Sequence, residues 1–240
     1  MILEVCIDSV ESAIAAQEGG AQRVELCADL ARGGTTPSAG MIQSVREAIA
    51  IALHTMIRPR PGDFCYSDHE FGIMVRDIEV SRKLGADGVV FGILTPSRTV
   101  DTERTGALVN VARPLSVTFH RAVDECPDIY RAFDDLARLG VDRVLTSGGK
   151  TDVLAGVEVL KDLVKRRHAT PRVLAGGGIS LDNIREVVTK SGVREVHALS
   201  ALSSAVKIEG LFASKDSEKR VVDVAKVRAM VDLLHELSSR

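Results

Sequence analysis

The chain has 240 residues, of which 45% are hydrophobic and 27% are charged, and its formal net charge is −2. This composition is typical of a folded protein with a large core and excludes a disordered chain. The near-neutral charge also gives no basic surface for nucleic acid or for an anionic membrane.

The beginning of the sequence and its cysteines indicate an intracellular protein. Residues 1–6 are typical of a strand and carry no basic leader, and the longest apolar run, residues 48–53, is too short to span a bilayer. The four cysteines, Cys6, Cys27, Cys65 and Cys126, are widely spaced and form no C-x-x-C pair. We therefore expect free thiols and a cytoplasmic location rather than a disulfide framework.

Strand-like apolar runs alternate with amphipathic runs of helical period along the whole chain. The predicted strands are Ile2–Ile7, Arg23–Cys27, Leu53–Arg58, Gly88–Gly92, Ser116–His120, Arg143–Ser147, Arg172–Ala175 and Glu195–Ala198. The predicted helices are Val10–Glu18, Ala39–Ala50, Asp68–Leu84, Thr102–Ala112, Pro127–Leu139, Val153–Arg167, Leu181–Lys190 and Lys219–Leu237. Eight such units in roughly 250 residues predict a (β/α)8 TIM barrel, with residues 1–240 as a single domain. An open, doubly wound sheet is disfavoured because no G-x-G-x-x-G turn follows the first strand.

Local signals predict where several helices begin or end. Ser67 and Glu70 have the spacing of a capping box, and Pro127 fits a first helical position. Gly85 fits a helix C-terminus that needs a left-handed residue. Residues 205–217, between the last strand and the last helix, are expected to be irregular and to form a mobile flap.

Polar side chains fall on one face of six predicted strands. Side chains alternate along a strand, and the apolar set must face the surrounding helices, so the polar set faces the barrel interior. This interior set is Glu4, Cys6, Arg23, Glu25, Cys27, His54, Met56, Arg58, Thr118, His120, Thr146, Glu195 and His197. A purely structural barrel would carry Val, Ile and Leu there, so the convergence predicts a functional pocket.

A structural explanation exists for each of these residues taken singly. Cys6 and Cys27 are small enough to pack as plain hydrophobes. A lone buried histidine is more often hydrogen-bonded in a core than bound to a metal. The carboxylates of the interior set are harder to explain, because a buried carboxylate needs a partner. Arg23 and Arg58 are the expected partners.

The loops that follow the strands add candidate anion ligands. Arg58 and Arg60 flank a proline, which predicts an extended, pre-shaped loop, and a guanidinium suits carboxylate or phosphate. The run Gly176–Gly178 follows strand seven, where barrel enzymes often bind phosphate with backbone amides. A rigid solvated turn and simple tight turns remain the alternatives for these two loops. The run 147–151 resembles the tail of a P-loop, but the first glycine of that motif would fall on Val144, which excludes it.

Motifs spread over nearly the whole chain resemble those of the CutC family, described as copper homeostasis proteins. They are Leu3–Cys6, Arg23–Cys27, Ile57–Arg60, Gly62–Asp68, Thr118–Ala122, Leu145–Gly148 and Glu195–His197. The resemblance implies a (β/α)8 barrel, a cytoplasmic setting, self-association as a homo-oligomer and a link to Cu(I). The chain departs from the family after His197, where Ala198 and Leu199 precede the first hydroxyl residue.

The first functional hypothesis is a Cu(I)-binding protein. Cu(I) prefers thiolate and thioether ligands and accepts imidazole. Cys6 and Cys27 have the same orientation on adjacent strands, which lie about 4.8 Å apart. The candidate metal ligands are therefore Cys6, Cys27, His54 and Met56.

The second hypothesis is an enzyme that acts on a small phosphorylated or carboxylated metabolite. Its candidate catalytic residues are Glu4, Glu25, His120, Arg121 and His197. Its candidate anion-binding residues are Arg58, Arg60, Thr146, Ser147, Gly176, Gly177 and Gly178. His120 or Glu25 would act as general base or acid. Burial of Glu4 and Glu25 near each other would raise the pKa of one carboxyl and make an acid–base pair.

Overall fold

A computed structural model describes residues 1–166, 170–207 and 218–238. Eight parallel strands close into a barrel in sequence order, which confirms the predicted TIM barrel. The strands are β1 (Ile2–Ile7), β2 (Arg23–Leu26), β3 (Ala52–Met56), β4 (Gly88–Phe91), β5 (Ser116–Phe119), β6 (Arg143–Thr146), β7 (Arg172–Ala175) and β8 (Glu195–Ala198).

Helices surround the barrel. They are α1 (Val10–Glu18), α2 (Ala39–Ala48), α3 (Asp68–Lys83), α4 (Thr102–Ala112), α5 (Ile129–Arg138), α6 (Val157–Lys165), α7 (Ile184–Ser191) and α8 (Val224–Ser238). Within the described ranges, none of these helices has both the length and the apolarity needed to cross a membrane.

A two-stranded antiparallel sheet precedes the last helix. It pairs β9 (Ser203–Lys207) with β10 (Glu218–Val222). The predicted irregular segment is therefore wrong for residues 205–207, which lie in β9, and its remainder, residues 208–217, lies outside the described part of the chain. The predicted start of the last helix at Lys219 is also wrong, because this residue lies in β10.

Helix ends follow local capping. The predicted capping box is confirmed: Ser67 Oγ accepts from the Glu70 N–H at 3.3 Å, and Glu70 Oε2 accepts from the Ser67 N–H at 2.8 Å. Gly85 has the expected left-handed φ of 83°. Pro127 is not a first helical residue, because Asp128 caps α5 by accepting from the Arg131 N–H at 3.0 Å.

The predicted alternation of faces is confirmed in the first strand. Leu3, Val5 and Ile7 are buried in the aliphatic layer between the barrel and its helices. Glu4 faces the interior, where the register places it beside Arg23 of β2 and His197 of β8. The closed barrel thereby joins residues from opposite ends of the chain.

Candidate functional site

A network of buried charges crosses the interior of the barrel. Arg23 donates its Nε–H to Glu4, and its Nη2 lies 2.7 Å from Glu195. Arg143 donates to the same Glu195 oxygen at 2.8 Å, while the more exposed Arg172 lies 3.3 Å from the other oxygen. Each of these carboxylates therefore has a cationic partner, as a buried charge requires.

His197 lies between two carboxylates, Glu4 and Glu25, whose pKa values are shifted in opposite directions. Its Nδ1 is 2.8 Å from Glu4 Oε1, and its Nε2 is 3.9 Å from Glu25 Oε2. Burial raises the pKa of Glu4, but Arg23 and His197 outweigh burial and hold it well below its usual range. Burial also raises the pKa of Glu25, and there it prevails. Burial lowers the pKa of His197, but Glu25, Cys6 and Glu4 together raise it well above its ordinary value.

The two interior cysteines form a sulfur pair next to Glu25. Their Sγ atoms lie 3.8 Å apart, and Cys27 Sγ lies 3.6 Å from Glu25 Oε2. The contact with Cys27 and burial raise the pKa of Cys6 well above its usual range. The contact with Cys6 lowers the pKa of Cys27, but burial and the Glu25 carboxylate outweigh this contact and raise the pKa of Cys27 to about 11. Met56 and Val90 belong to the same buried cluster as the two cysteines, so a thioether lies near the thiols.

The sulfur pair lines a cavity of about 310 Å³ at the carboxyl ends of the strands. Pockets of this size, largely apolar with a few polar groups, are typical of small-ligand sites. The lining residues are Cys6, Glu25, Cys27, Leu30, Gly33, Met56, Arg58, Phe64, His120, Arg121, Leu145, Gly177, Gly178, Ile179, His197 and Leu199.

One wall of the cavity contains His120, Phe64 and Arg58. The ring centroids of Phe64 and His120 are 4.9 Å apart, and the Arg58 guanidinium lies 5.0 Å from the Phe64 centroid. Burial and the charge of Arg58 lower the pKa of His120 to about 3. His120 is therefore a neutral imidazole at physiological pH, and a pKa this low makes it a weak general base.

Asp124 organises the neighbouring wall and was not among the sequence candidates. Its carboxylate accepts from Thr146 Oγ1, from the backbone N–H of Ser147 and of Gly149, and from Arg121 Nε at 2.9 Å. Asp124 lies in a short 3-10 turn, Arg121–Glu125, directly after β5. The feature of the sequence that could have identified Asp124 is its position two residues after the Thr118–Ala122 motif.

The structure brings ten of the predicted site residues to this cavity and leaves six outside its lining. Cys6, Glu25, Cys27, Met56, Arg58, His120, Arg121, Gly177, Gly178 and His197 line it. The other six are Glu4, His54, Arg60, Thr146, Ser147 and Gly176.

Five of those six lie close behind the cavity wall. Glu4 hydrogen-bonds to His197, and the hydroxyls of Thr146 and Ser147 donate to Asp124. His54 lies 3.8 Å from Glu4, and burial lowers the pKa of His54 to about 4. Gly176 packs against Leu145 and His197, which line the cavity.

Two expectations for the arginine loop are not met. Arg60 lies away from the cavity, where it stacks on Tyr66 and pairs with Asp63 and Glu70. Arg58 was expected to pair with an interior carboxylate, but it donates to three backbone carbonyls instead. Its side chain points into the loops after β2 and β3, so the parity of the strand does not determine its partners.

Comparison with known proteins gives relatives over nearly the full chain. The sequence profile of the CutC family matches residues 1–202. The chain is 42% identical to the copper homeostasis protein cutC homolog of Mus musculus, over 95% of this chain and 88% of the mouse protein. It is also 42% identical to the family protein CutC of Bacteroides fragilis, over 96% of both chains.

Solved structures agree with this assignment. A putative copper homeostasis protein CutC from Streptococcus agalactiae matches with a TM-score of 0.78 and 33% identity, covering 82% of this chain and 97% of that chain. TrpF from Jonesia denitrificans matches with a TM-score of 0.64 at 16% identity, over 99% of this chain and 98% of that one, which shows a shared fold alone. The barrel, the interior motifs and these relatives together show that the chain belongs to the CutC family.

Proposed function

We propose that residues 1–240 act as a single domain that binds Cu(I) through the thiols of Cys6 and Cys27. The observation that carries this proposal is the pair of sulfur atoms 3.8 Å apart at a cavity wall. Cu(I) is a soft ion that prefers thiolate and thioether ligands, and Met56 belongs to the same buried cluster as the two cysteines. The copper homeostasis relatives support the same ion.

Copper binding at this pair must displace protons. The raised pKa values of both thiols keep them protonated at neutral pH, whereas the metal ligand is the thiolate. The Glu25 carboxylate lies 3.6 Å from Cys27 Sγ, close enough to accept its proton. Cu(I) affinity is therefore expected to rise with pH.

The proposal also includes a cytoplasmic location and a homo-oligomer. Ile73 and Val80 lie seven residues apart on α3 and are both exposed, so this helix presents apolar side chains to solvent. Light scattering after size exclusion tests the assembly. Ile73→Glu is expected to reduce the mass to that of one chain if α3 forms the contact.

The test of the copper site is anaerobic competition for Cu(I) with a chromogenic chelator. Wild type is expected to bind one Cu(I) far more tightly than micromolar, and Cys6→Ser or Cys27→Ser to weaken binding strongly. Cys126→Ser is the matched control, because Cys126 is a free cysteine that does not line the cavity. Affinity no better than micromolar, or affinity unchanged in both serine variants, would rule out the site.

A second candidate function is acid–base catalysis on a small anionic metabolite. The specific observation is His197 held between Glu4, whose pKa is lowered, and Glu25, whose pKa is raised. Carboxyls with divergent pKa values on one imidazole are typical of acid–base pairs. A thermal-shift screen of phosphorylated and carboxylated metabolites is expected to find a ligand, and Glu25→Gln to abolish any turnover of it. Turnover that survives in Glu25→Gln would exclude this mechanism.

A further inference from the structure

Arg58 is a buried cation for which the described residues provide no counter-charge. The residue is only 6% exposed. Its terminal nitrogens donate to the carbonyls of Gly34 at 2.9 Å, Gly62 at 2.8 Å and Arg32 at 3.3 Å. Carbonyls are neutral, and burial raises the pKa of the nearby Tyr66 to about 12, so its hydroxyl is neutral as well. An uncompensated buried charge is costly, so an anion at this position would be stabilised.

The other buried charges of the interior already balance one another. Glu4 and Glu195 carry two negative charges, which the buried Arg23 and Arg143 match; Arg172 also contacts Glu195, but its side chain is mostly exposed and its charge is screened by water. The acid–imidazole pair formed by Glu25 and His197 is neutral whenever it holds one proton. Arg121, also on the cavity wall, is paired with Asp124 at 2.9 Å. The cavity therefore carries one positive charge in excess, that of Arg58.

His120 offers a hydrogen-bond donor with a fixed position. Its Nδ1 accepts from the backbone N–H of Ala122 at 3.2 Å, so the proton of the neutral ring is on Nε2. His120 is 4% exposed, and its Nε2 has no partner among the described residues. The Nε of Arg58 is likewise without a partner there. Both side chains flank the Phe64 ring and line the same cavity.

We propose that this cavity binds a small monocarboxylate, with His120 Nε2–H and Arg58 Nε–H as the donors to its two oxygens. One excess positive charge matches one negative charge, and two single N–H donors match two oxygens. A phosphate dianion would leave one negative charge and at least one oxygen uncompensated at this wall. The cavity, of about 310 Å³, has room for a small organic acid.

This assignment gives His120 a role other than that of an acid or base. An imidazole whose pKa is about 3 does not change its charge at physiological pH, so it binds and polarises a ligand oxygen without giving up its proton. The carboxylate donors are not among the proposed copper ligands, although Cys6 and Cys27 line the same cavity. The carboxylate site names the ligand class for the acid–base proposal, because Glu25 lines the same cavity. A catalytic use of the bound carboxylate rests on that proposal.

The test uses the full chain without copper and titrates it with acetate, glycolate and pyruvate in a calorimeter. Acetamide is the uncharged control and inorganic phosphate the competing anion. His120→Asn retains an acceptor for the Ala122 N–H and removes the Nε2 donor, while His120→Gln retains a donor near Nε2 and loses the cap. One hydrogen bond to a charged group is worth about 1.5–3 kcal/mol, so His120→Asn is expected to weaken binding about ten- to a hundredfold and His120→Gln much less.

The outcomes separate this proposal from the acid–base mechanism. Glu25→Gln is expected to bind the same carboxylate while it loses any turnover; binding retained together with surviving turnover would exclude only the mechanism. The carboxylate site is wrong if no acid of the panel binds to wild type, if acetamide or phosphate binds equally well, or if both His120 variants bind like wild type. If His120→Asn fails to fold, the ¹⁵N shift of His120 Nε2 in wild type decides, because it must move when pyruvate is added.

Discussion

Glu4 contacts residues of three other strands from the centre of the barrel. It pairs with Arg23 of β2, lies 2.8 Å from His197 of β8 and lies 3.8 Å from His54 of β3. The side chain is fully buried, so water screens none of these interactions. Loss of its charge would leave Arg23 and a protonated His197 short of a negative partner.

We expect Glu4→Gln to lower the free energy of unfolding by about 3 kcal/mol at neutral pH, the usual cost of breaking a buried pair. Urea denaturation measures this loss. Glu186→Gln is the matched control, since Glu186 pairs with Lys190 at the half-exposed surface of α7, where such pairs contribute less than about 1 kcal/mol. Equal losses in the two variants would show that the interior network does not contribute to stability.

Strand parity predicts which residues meet in the interior, but not how each is partnered. Glu4, Glu25 and His197 were predicted correctly to face one another because alternation along a strand is a fixed geometric rule. The partners of Arg58 and the role of Asp124 were not predictable in this way. The partners of Arg58 and the role of Asp124 depend on the path of the loops. Loops lack the regular side-chain alternation by which a strand can be recognised in the sequence.

β4 contributes no polar group to the interior, and its neighbourhood makes room for two histidines. A Cβ on Gly88 would lie 2.5 Å from His54, and a Cβ on Gly92, directly after the strand, would lie 2.5 Å from His120. Neither glycine has a positive φ, so close approach rather than backbone conformation requires them. The sequence placed β4 correctly, but it did not predict that these two glycines leave room for the imidazole of His54 in β3 and that of His120, directly after β5.

We expect Gly92→Ala to destabilise the protein by about 1–3 kcal/mol, because the added methyl group must displace the His120 ring. Gly72→Ala is the matched substitution: Gly72 lies within α3 with open space around its Cβ position, so alanine should stabilise the helix by about 0.5–1 kcal/mol. Thermal denaturation of both variants measures the two signs. A stabilising effect of Gly92→Ala would mean that the His120 ring does not occupy this position.

For the eight strands of the barrel and the helices around them, the predicted ends were less accurate than the predicted number and order. The predicted starts of α6 and α7, at Val153 and Leu181, are both too early. In the structure these helices begin at Val157 and Ile184. The apolar pattern of each run continues into the preceding turn, so periodicity alone does not mark the boundary. Capping contacts do mark it, as at Ser67, but many turns lack such a signal.

At the scale of the whole molecule, buried neutral histidines make stability depend on pH. Burial lowers the pKa of His54 to about 4 and that of His120 to about 3, from 6.5 in the unfolded chain. Below pH 6.5 the unfolded chain therefore binds protons that the folded chain does not, and stability falls as the pH falls. The lowered pKa of Glu4 acts in the same direction, because the stability it contributes above its ordinary value of 4.5 is lost on further acidification. His197 acts in the opposite direction, since its raised pKa contributes stability that is lost only as the pH rises through its folded value.

We expect the free energy of unfolding to decrease between pH 6.5 and about 4 by up to about 1.4 kcal/mol per pH unit for each of His54 and His120. Urea titrations at pH 7, 6 and 5 measure this slope. His120→Asn should make it shallower by the share of one histidine, whereas His69→Asn, at an exposed position of α3, should leave it unchanged. A slope that is the same in His120→Asn as in wild type would mean that the His120 imidazole takes up its proton over the same pH range in the folded protein as in the unfolded chain. In that case its Nδ1 would not accept from the Ala122 N–H, and the orientation of the cavity wall would have to be different.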